Sequence, residues 1–318
     1  MSAILPTRKI GTADEPLFTA MGFGTMGLAM SYGPVESDEE RFKFKRNPGK
    51  REGVFLATKF GAYFDEQHTA TLRSDPEFVR EQIASSLERL GVDHIDLYYQ
   101  HRVDPKTPIE VTVRAMAELV KEGKVKYLGL SECSAKALRR AHAVHPISAI
   151  QIEYSPFALY IEDPQVALLQ TARELGVTVV AYSPIGHGLL TGQYKSPADF
   201  DPTDIRRVLP KFSESNFPKI LSIVDRVKVI AENYGATPAQ ATLAWVLAQG
   251  PDFVIIPGTK KVKYLEENVK AATITLTEED INAVRELAEE AERDLPKHRV
   301  PEGHDMGMGE DSPELEMN

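Results

Sequence analysis

The sequence is almost without cysteine, Cys133 being the only one in 318 residues. A lone thiol excludes an intramolecular disulfide and any metal site built from several thiolates, so neither cross-links nor structural zinc explain the fold. Packing is the expected role of Cys133, and no metal is expected. An excess of positive charge is missing too: 37 Lys and Arg face 47 Asp and Glu, a formal charge of −10. That balance opposes phosphate backbones and anionic lipid, so nucleic acid is not an expected partner. No stretch approaches the roughly 18 apolar residues a membrane helix needs. The opening MSAILPTRKIG lacks the long apolar run of a secretion signal, which makes the cytoplasm the expected location and a membrane no expected partner. What is present, 42% hydrophobic and 26% charged residues, is the composition of an ordinary globular protein.

From residue 54 onward short β-rich runs alternate with helical patterns: VFLATKF, DPEFVREQIASSLERLG, HIDLYYQH, TPIEVTVRAMAELVKEGK, VKYLGLS. Such alternation predicts parallel strands joined by helices. Asp75 before Pro76 predicts a helix start, Thr107, Pro108 and Glu110 predict a capping box, and Thr277 predicts the cap of a late helix. Val79, Ile83, Leu87 and Leu90 predict one buried helix face. Strands such as VFLATKF and TVVAYSP are apolar on both faces, as expected when helices cover the outside of a closed barrel and side chains fill it. The fold predicted is α/β, a (β/α)8 TIM barrel, with a single domain over residues 1–294 and a flexible C-terminal tail over 295–318, rich in Pro, Gly, Met and acidic residues.

Only seven inner strands are counted, because the space between AMGFGT near residue 21 and VFLATKF near residue 54 holds about one helix and its loops. Eight are needed for consistent tilt and shear, so one βα unit, the one with the second strand, is expected to be missing. Gly22, Gly24 and Gly27 spell G-x-G-x-x-G, but Gly33 and Pro34 follow where a Rossmann helix would have to begin. The glycines are assigned instead to tight backbone at a barrel rim.

Chemistry in such barrels sits at the C-terminal ends of the strands. Read in order, those ends carry Lys59, His101, Ser131 with Glu132, Gln151, Tyr182 with Ser183, and Thr259 with Lys260. Any one of them alone reads as a solvated or hydrogen-bonded rim residue; polar groups at six successive ends read as a site. Taken without its context, Lys260 is one member of a solvated run with Lys261 and Lys263.

These residues lie in segments that resemble the aldo-keto reductases, in the branch of fungal, bacterial and plant NADP-dependent enzymes that includes pyridoxal-type reductases. LERLGVDHIDLYYQH resembles the segment with the family's catalytic histidine, GKVKYLGLSECSA and QIEYSPFAL its following strands, and AYSPIGHGLLTG and IPGTKKVKYLEENV its cofactor-binding segments. The resemblance implies an NADPH-dependent oxidoreductase that reduces aldehydes or ketones to alcohols by hydride transfer, a small carbonyl compound being the partner. It implies Lys59 and His101 as catalytic residues. Tyr182 would lie against the nicotinamide, and Ser131 and Gln151 would bond its carboxamide, with Glu132 beside them. The loop of Ser183, Pro184, Ile185, Gly186, Gly188, Leu189, Thr191 and Gly192 would wrap the pyrophosphate. Gly258, Thr259 and Lys260 would meet the 2′-phosphate, and Glu267 and Asn268 the adenine.

The same resemblance exposes a departure. The family pairs its lysine and histidine with an aspartate and a proton-donating tyrosine on a DTAxxYG segment, and no such segment occurs here. The text passes from SDEERFK to FKRNPGKREGVFLATKF as if one unit were excised between Lys43 and Phe44. Activity is therefore expected to be impaired, with His101, Tyr32 or Tyr63 as substitute donors. The alternative reading is a non-catalytic NADPH-binding or scaffold protein. A divalent-metal hydrolase would need carboxylates beside His142 and His145, and none accompanies them.

Overall fold

The computed structural model of the chain describes residues 5–12, 18–28, 32, 51–64, 69–301 and 306–316. Strands β1 (Thr7–Arg8) and β2 (Phe18–Thr19) pair antiparallel. Then come β3 (Ala57–Phe60), the hairpin β4 (Ala62–Phe64) and β5 (Ala70–Leu72), α1 (Pro76–Leu90), β6 (Ile95–Gln100), α2 (Ile109–Lys121) and β7 (Val125–Ser131). They are followed by α3 (Ala135–Val144), β8 (Ala149–Glu153), α4 (Leu168–Glu174) and β9 (Thr178–Tyr182). The last elements are α5 (Phe217–Glu232), α6 (Pro238–Leu247), β10 (Phe253–Ile255), α7 (Val262–Ala271) and α8 (Glu278–Asp294).

Six strands form one parallel sheet in the order β10-β9-β8-β7-β6-β3. A seventh segment joins at the β10 edge, where Met21 and Gly24 bridge in parallel to Ile255 and Gly258. Gly22 N–H donates to Ile255 O at 2.8 Å and Ile255 N–H to Ala20 O at 3.0 Å. Glycine is required at this seam: a Cβ on Gly24 would stand 2.5 Å from Ile256 O, and one on Gly258 2.8 Å from Gly24 O. The glycine triplet thus serves the barrel rim. Among the described residues no strand pairs with the other side of β3, and the array there consists of seven inner segments. The Lys43–Phe44 junction lies outside the described residues.

Strand alternation divides the core. On β6, Leu97 and Tyr99 point inward to meet Ile10, Ala149, Val180 and Val254, while Tyr98 points outward to the helices. The chain start closes the lower end, where Gly11 N–H donates to Thr178 Oγ1 at 2.9 Å and Arg8 to Phe253 O at 3.3 Å. Asp75 and Thr277 cap α1 and α8 through Phe78 N–H and Asp280 N–H. Leu90, in the last turn of α1, is exposed, whereas Val79 and Ile83 are buried. No capping box forms at α2. Asp104 takes the Thr107 hydroxyl at 2.8 Å, Glu110 pairs with Arg140, and the orphan Ile109 N–H donates instead to Ser312 Oγ at 3.0 Å. No described helix is long and apolar enough to cross a membrane, and no described group of three or more His, Cys, Asp or Glu is placed to hold a metal ion. Cys133 is buried in the core, where burial lifts its thiol to about 12 and keeps it unreactive.

Candidate functional site

Parallel pairing sets the polar residues of β7, β8 and β9 side by side. Ser131 on β7 is the register partner of Gln151 on β8, and Glu153 on β8 is the partner of Tyr182 on β9. Ser131 and Gln151 are buried. Burial raises the hydroxyl of Tyr99, inward on β6, and Gln151 acts against that rise. Tyr182 ends β9 half-buried, its hydroxyl held protonated by burial and by the charges of Glu132 and Glu153.

The segment after β9 turns tightly. Ser183, Gly186, His187, Gly188 and Gly192 all have φ between +49° and +90°, and the turn closes on itself, Gly186 N–H donating to Ser183 O at 2.9 Å, Gly188 N–H to Ile185 O at 3.1 Å and Gly192 N–H to Leu189 O at 3.1 Å. Pro184, Gly186 and Leu189 are buried, Ile185 is half-buried, and Thr191 Oγ1 closes the turn on Gly188 O at 2.6 Å. Arg206, ion-paired to Asp204 at 2.6 Å, donates to His187 O at 2.8 Å beneath the turn. After β10, Gly258 lies at the glycine seam and Thr259 Oγ1 accepts Lys261 N–H at 3.1 Å. Lys260 is exposed, and its Nζ donates to Tyr32 O at 2.7 Å. On α7, Glu267 accepts the Thr237 hydroxyl at 2.7 Å and Asn268 is buried.

Two residues passed over in the sequence tie this half together. Arg299 pairs with Glu132 at 2.5 Å and with Glu153 at 3.4 Å, and its guanidinium lies 4.2 Å from the Tyr160 ring centroid. Glu132 Oε1 also accepts Glu153 N–H at 3.1 Å. His187 Nε2 stands 3.2 Å from Glu153 Oε1 while its Nδ1 meets the Tyr32 hydroxyl at 2.9 Å. Burial alone would raise the Glu153 carboxyl, but the hydrogen bond and charge of His187, with Arg299 and Lys211, bring it down to about 2. Glu153 was findable, since it lies two residues past Gln151 on one strand and so shares its face. Arg299, in a tail without periodicity, carried no such signal.

The other half of the mouth is poorer in partners. Lys59 on β3 lies opposite Tyr99, with Nζ 5.9 Å from the ring centroid, and His101 N–H donates to Phe60 O at 2.7 Å. No ion pair joins Lys59 to a carboxylate among the described residues. Burial and the Arg102 charge lower its amine to about 8, and burial with Arg102 and Lys59 lowers the His101 imidazole to about 3, leaving that ring neutral. Among the described residues no hydrogen-bond partner meets the buried side-chain polar atoms of Gln100 or Arg102 Nε, nor Tyr98 Oη on the helix-facing side of β6. Neither substitute tyrosine is placed beside Lys59. The Tyr63 ring packs on Phe78, centroids 5.1 Å apart. Tyr32 is engaged by His187 and stacked over by Arg206, and burial pushes its hydroxyl up to about 12.

Comparison with known proteins gives a consistent neighbourhood. The model of the Aldo/keto reductase family matches residues 17–289. The chain is 60% identical to the aldo-keto reductase str7 of Strobilurus tenacellus, covering 98% of this chain and 99% of that protein. It is 43% identical to the aldo-keto reductase yakc [NADP(+)] of Schizosaccharomyces pombe, covering 91% of this chain and 93% of the relative. Among solved structures, the glycerol dehydrogenase AKR11B4 of Gluconobacter oxydans superposes with a TM-score of 0.79 at 26% identity, over 93% of this chain and 98% of the other. The first of these alignments runs over 347 positions, more than the 318 residues of this chain, so the relative has residues without counterparts here.

Proposed function

The chain belongs to the aldo-keto reductase family, and on that premise we propose that it is an NADP-dependent reductase of aldehydes and ketones whose turnover is slowed by the loss of the family's proton donor. One observation carries the reading: Ser131, Gln151 and Tyr182 lie on three adjacent strands at the same end of the barrel as Lys59 and His101. These residues fit a nicotinamide dinucleotide. Tyr182 offers an aromatic face, and Ser131 and Gln151 offer a hydroxyl and an amide side by side. The tight turn from Ser183 to Gly192, whose glycines let backbone approach closely, is assigned to the pyrophosphate, and Lys260 offers a cation to a 2′-phosphate. Glu267 and Asn268 are assigned to the adenine end, and Glu132 supports the nicotinamide end through its bond to Glu153 N–H.

The bound cofactor supplies hydride. The chain's part is to hold the carbonyl and to answer the charge that develops on its oxygen. His101, neutral, contributes an N–H that orients this oxygen, and the protonated fraction of Lys59 contributes positive charge. Neither replaces an acid of matched pKa, a contribution typically worth about 10²–10⁴-fold in rate. The longer relative, and the lack of a partner strand on the far side of β3 among the described residues, support the reading that a unit between Lys43 and Phe44 is missing, and with it the aspartate and tyrosine.

The second reading, a non-catalytic NADPH-binding or scaffold protein, is favoured by the completeness of the β7–β9 half against the sparse β3–β6 half. Stopped-flow fluorescence with NADPH, followed by NADPH consumption with 4-nitrobenzaldehyde, separates the two. Binding with slow but enzyme-dependent oxidation is expected; binding with no turnover at any aldehyde concentration selects the second reading, and absence of binding removes both.

A further inference from the structure

We propose that Lys59 is a nucleophilic amine that captures aldehydes as a reversible iminium at the mouth of the barrel. The inference rests on the reading above only in that an aldehyde reaches this mouth; the capture itself needs no nucleotide.

The geometry isolates this amine. Lys59 is the penultimate residue of β3, half-buried, with its Nζ over the Tyr99 ring and not against a carboxylate. A lysine held in an ion pair has its lone pair blocked by a proton that the pair stabilises; among the described residues no such pair holds Lys59. The charged neighbour acting on it among the described residues is Arg102, whose guanidinium disfavours a second cation, and the end of the adjacent strand β6 carries the neutral ring of His101. Burial works in the same direction, and the amine is brought down to about 8. Near neutral pH its unprotonated fraction therefore exceeds that of an ordinary surface lysine by on the order of a hundredfold.

The chemistry closes without any further reagent. The Nζ lone pair attacks the aldehyde carbon, forming the C–N bond while the C=O π electrons move to oxygen. The oxygen takes up the proton released by nitrogen, giving a carbinolamine. A second proton on that oxygen lets it depart as water, and the nitrogen lone pair forms the C=N bond of the iminium. The balance is ammonium plus aldehyde to iminium plus water, with no change of redox state. A neutral imidazole has one nitrogen that accepts and one that donates, so His101 can hand the proton across without carrying a charge that its surroundings disfavour.

The test uses the full chain without nucleotide, incubated near neutral pH with 4-nitrobenzaldehyde and sodium cyanoborohydride, which reduces an iminium to a stable secondary amine. Peptide mass spectrometry then locates the nitrobenzyl group. The expected result is roughly tenfold or greater enrichment at Lys59 over any surface lysine, lost in Lys59→Arg, with the remaining lysines labelled as before. Labelling spread over surface lysines without enrichment at Lys59 in the native chain overturns the proposal, whatever the variant does. NADPH binding is measured on the same preparation. Binding without enrichment overturns capture and leaves the reductase reading standing, whereas enrichment without binding supports capture and overturns that reading.

Discussion

The two halves of the barrel mouth differ in how their polar groups are satisfied. At the ends of β7, β8 and β9 the buried charges are paired: Glu132 and Glu153 share Arg299. At the ends of β3 and β6, the Gln100 amide and Arg102 Nε are buried with no partner among the described residues, and Lys59 has an aromatic face in place of a carboxylate. A buried polar group left unpaired costs about 1–3 kcal/mol, so the second half is where the fold stores its cost. The contrast teaches that the β7–β9 half is closed by a residue of the C-terminal segment, Arg299, while the β3–β6 half depends on an edge that finds no neighbour among the described residues.

The largest effect should come from the well-partnered half. Arg299→Ala leaves Glu132 and Glu153 facing each other across buried backbone, and a loss of about 3–5 kcal/mol in urea unfolding is expected; a loss near zero would show that the tail contributes nothing to that half. The Glu153 carboxylate, held at about 2, contributes stability that is complete above the ordinary carboxylate value of roughly 4.3 and fades as pH falls through its folded value. Acid unfolding followed by circular dichroism should therefore be less steep in Glu153→Gln.

Next in size, Gln151→Leu removes the amide that acts against burial on the Tyr99 hydroxyl and Gly24→Ala drives a Cβ against Ile256 O. Each is expected to lower the urea midpoint by about 1–3 kcal/mol. Smaller again, Ser312→Ala removes the acceptor for Ile109 N–H and should cost about 1 kcal/mol. Last, Gln100→Leu is expected to be neutral or to stabilise by up to about 1 kcal/mol, because the amide it removes makes no hydrogen bond. If Gln100→Leu were as damaging as Gln151→Leu, the distinction between the halves would fail.

Much of this was legible from residues alone. Alternating apolar runs announced parallel strands, and the position of Lys59, His101, Ser131, Gln151 and Tyr182 at or just past strand ends was readable in the same way. Caps that act within four residues, at Asp75 and Thr277, were readable because both partners lie in one stretch of chain. The expected box at Thr107 did not form, because Asp104, already bonded to Ser74 N–H, outcompeted it for the hydroxyl.

By itself the sequence determined the repeating strand and helix pattern, since periodicity and capping are local, and it determined which side chains stand at strand ends, since position along a strand is local too. Tertiary structure decided which of those groups are charged, paired or orphaned. Arg299 reaches Glu132 across 167 residues and Ser312 caps a helix 203 residues away. The reactivity assigned to Lys59 likewise follows from burial beside Arg102 and from what does not stand next to it. Such properties depend on distances through space between residues remote in the chain, which no local pattern encodes.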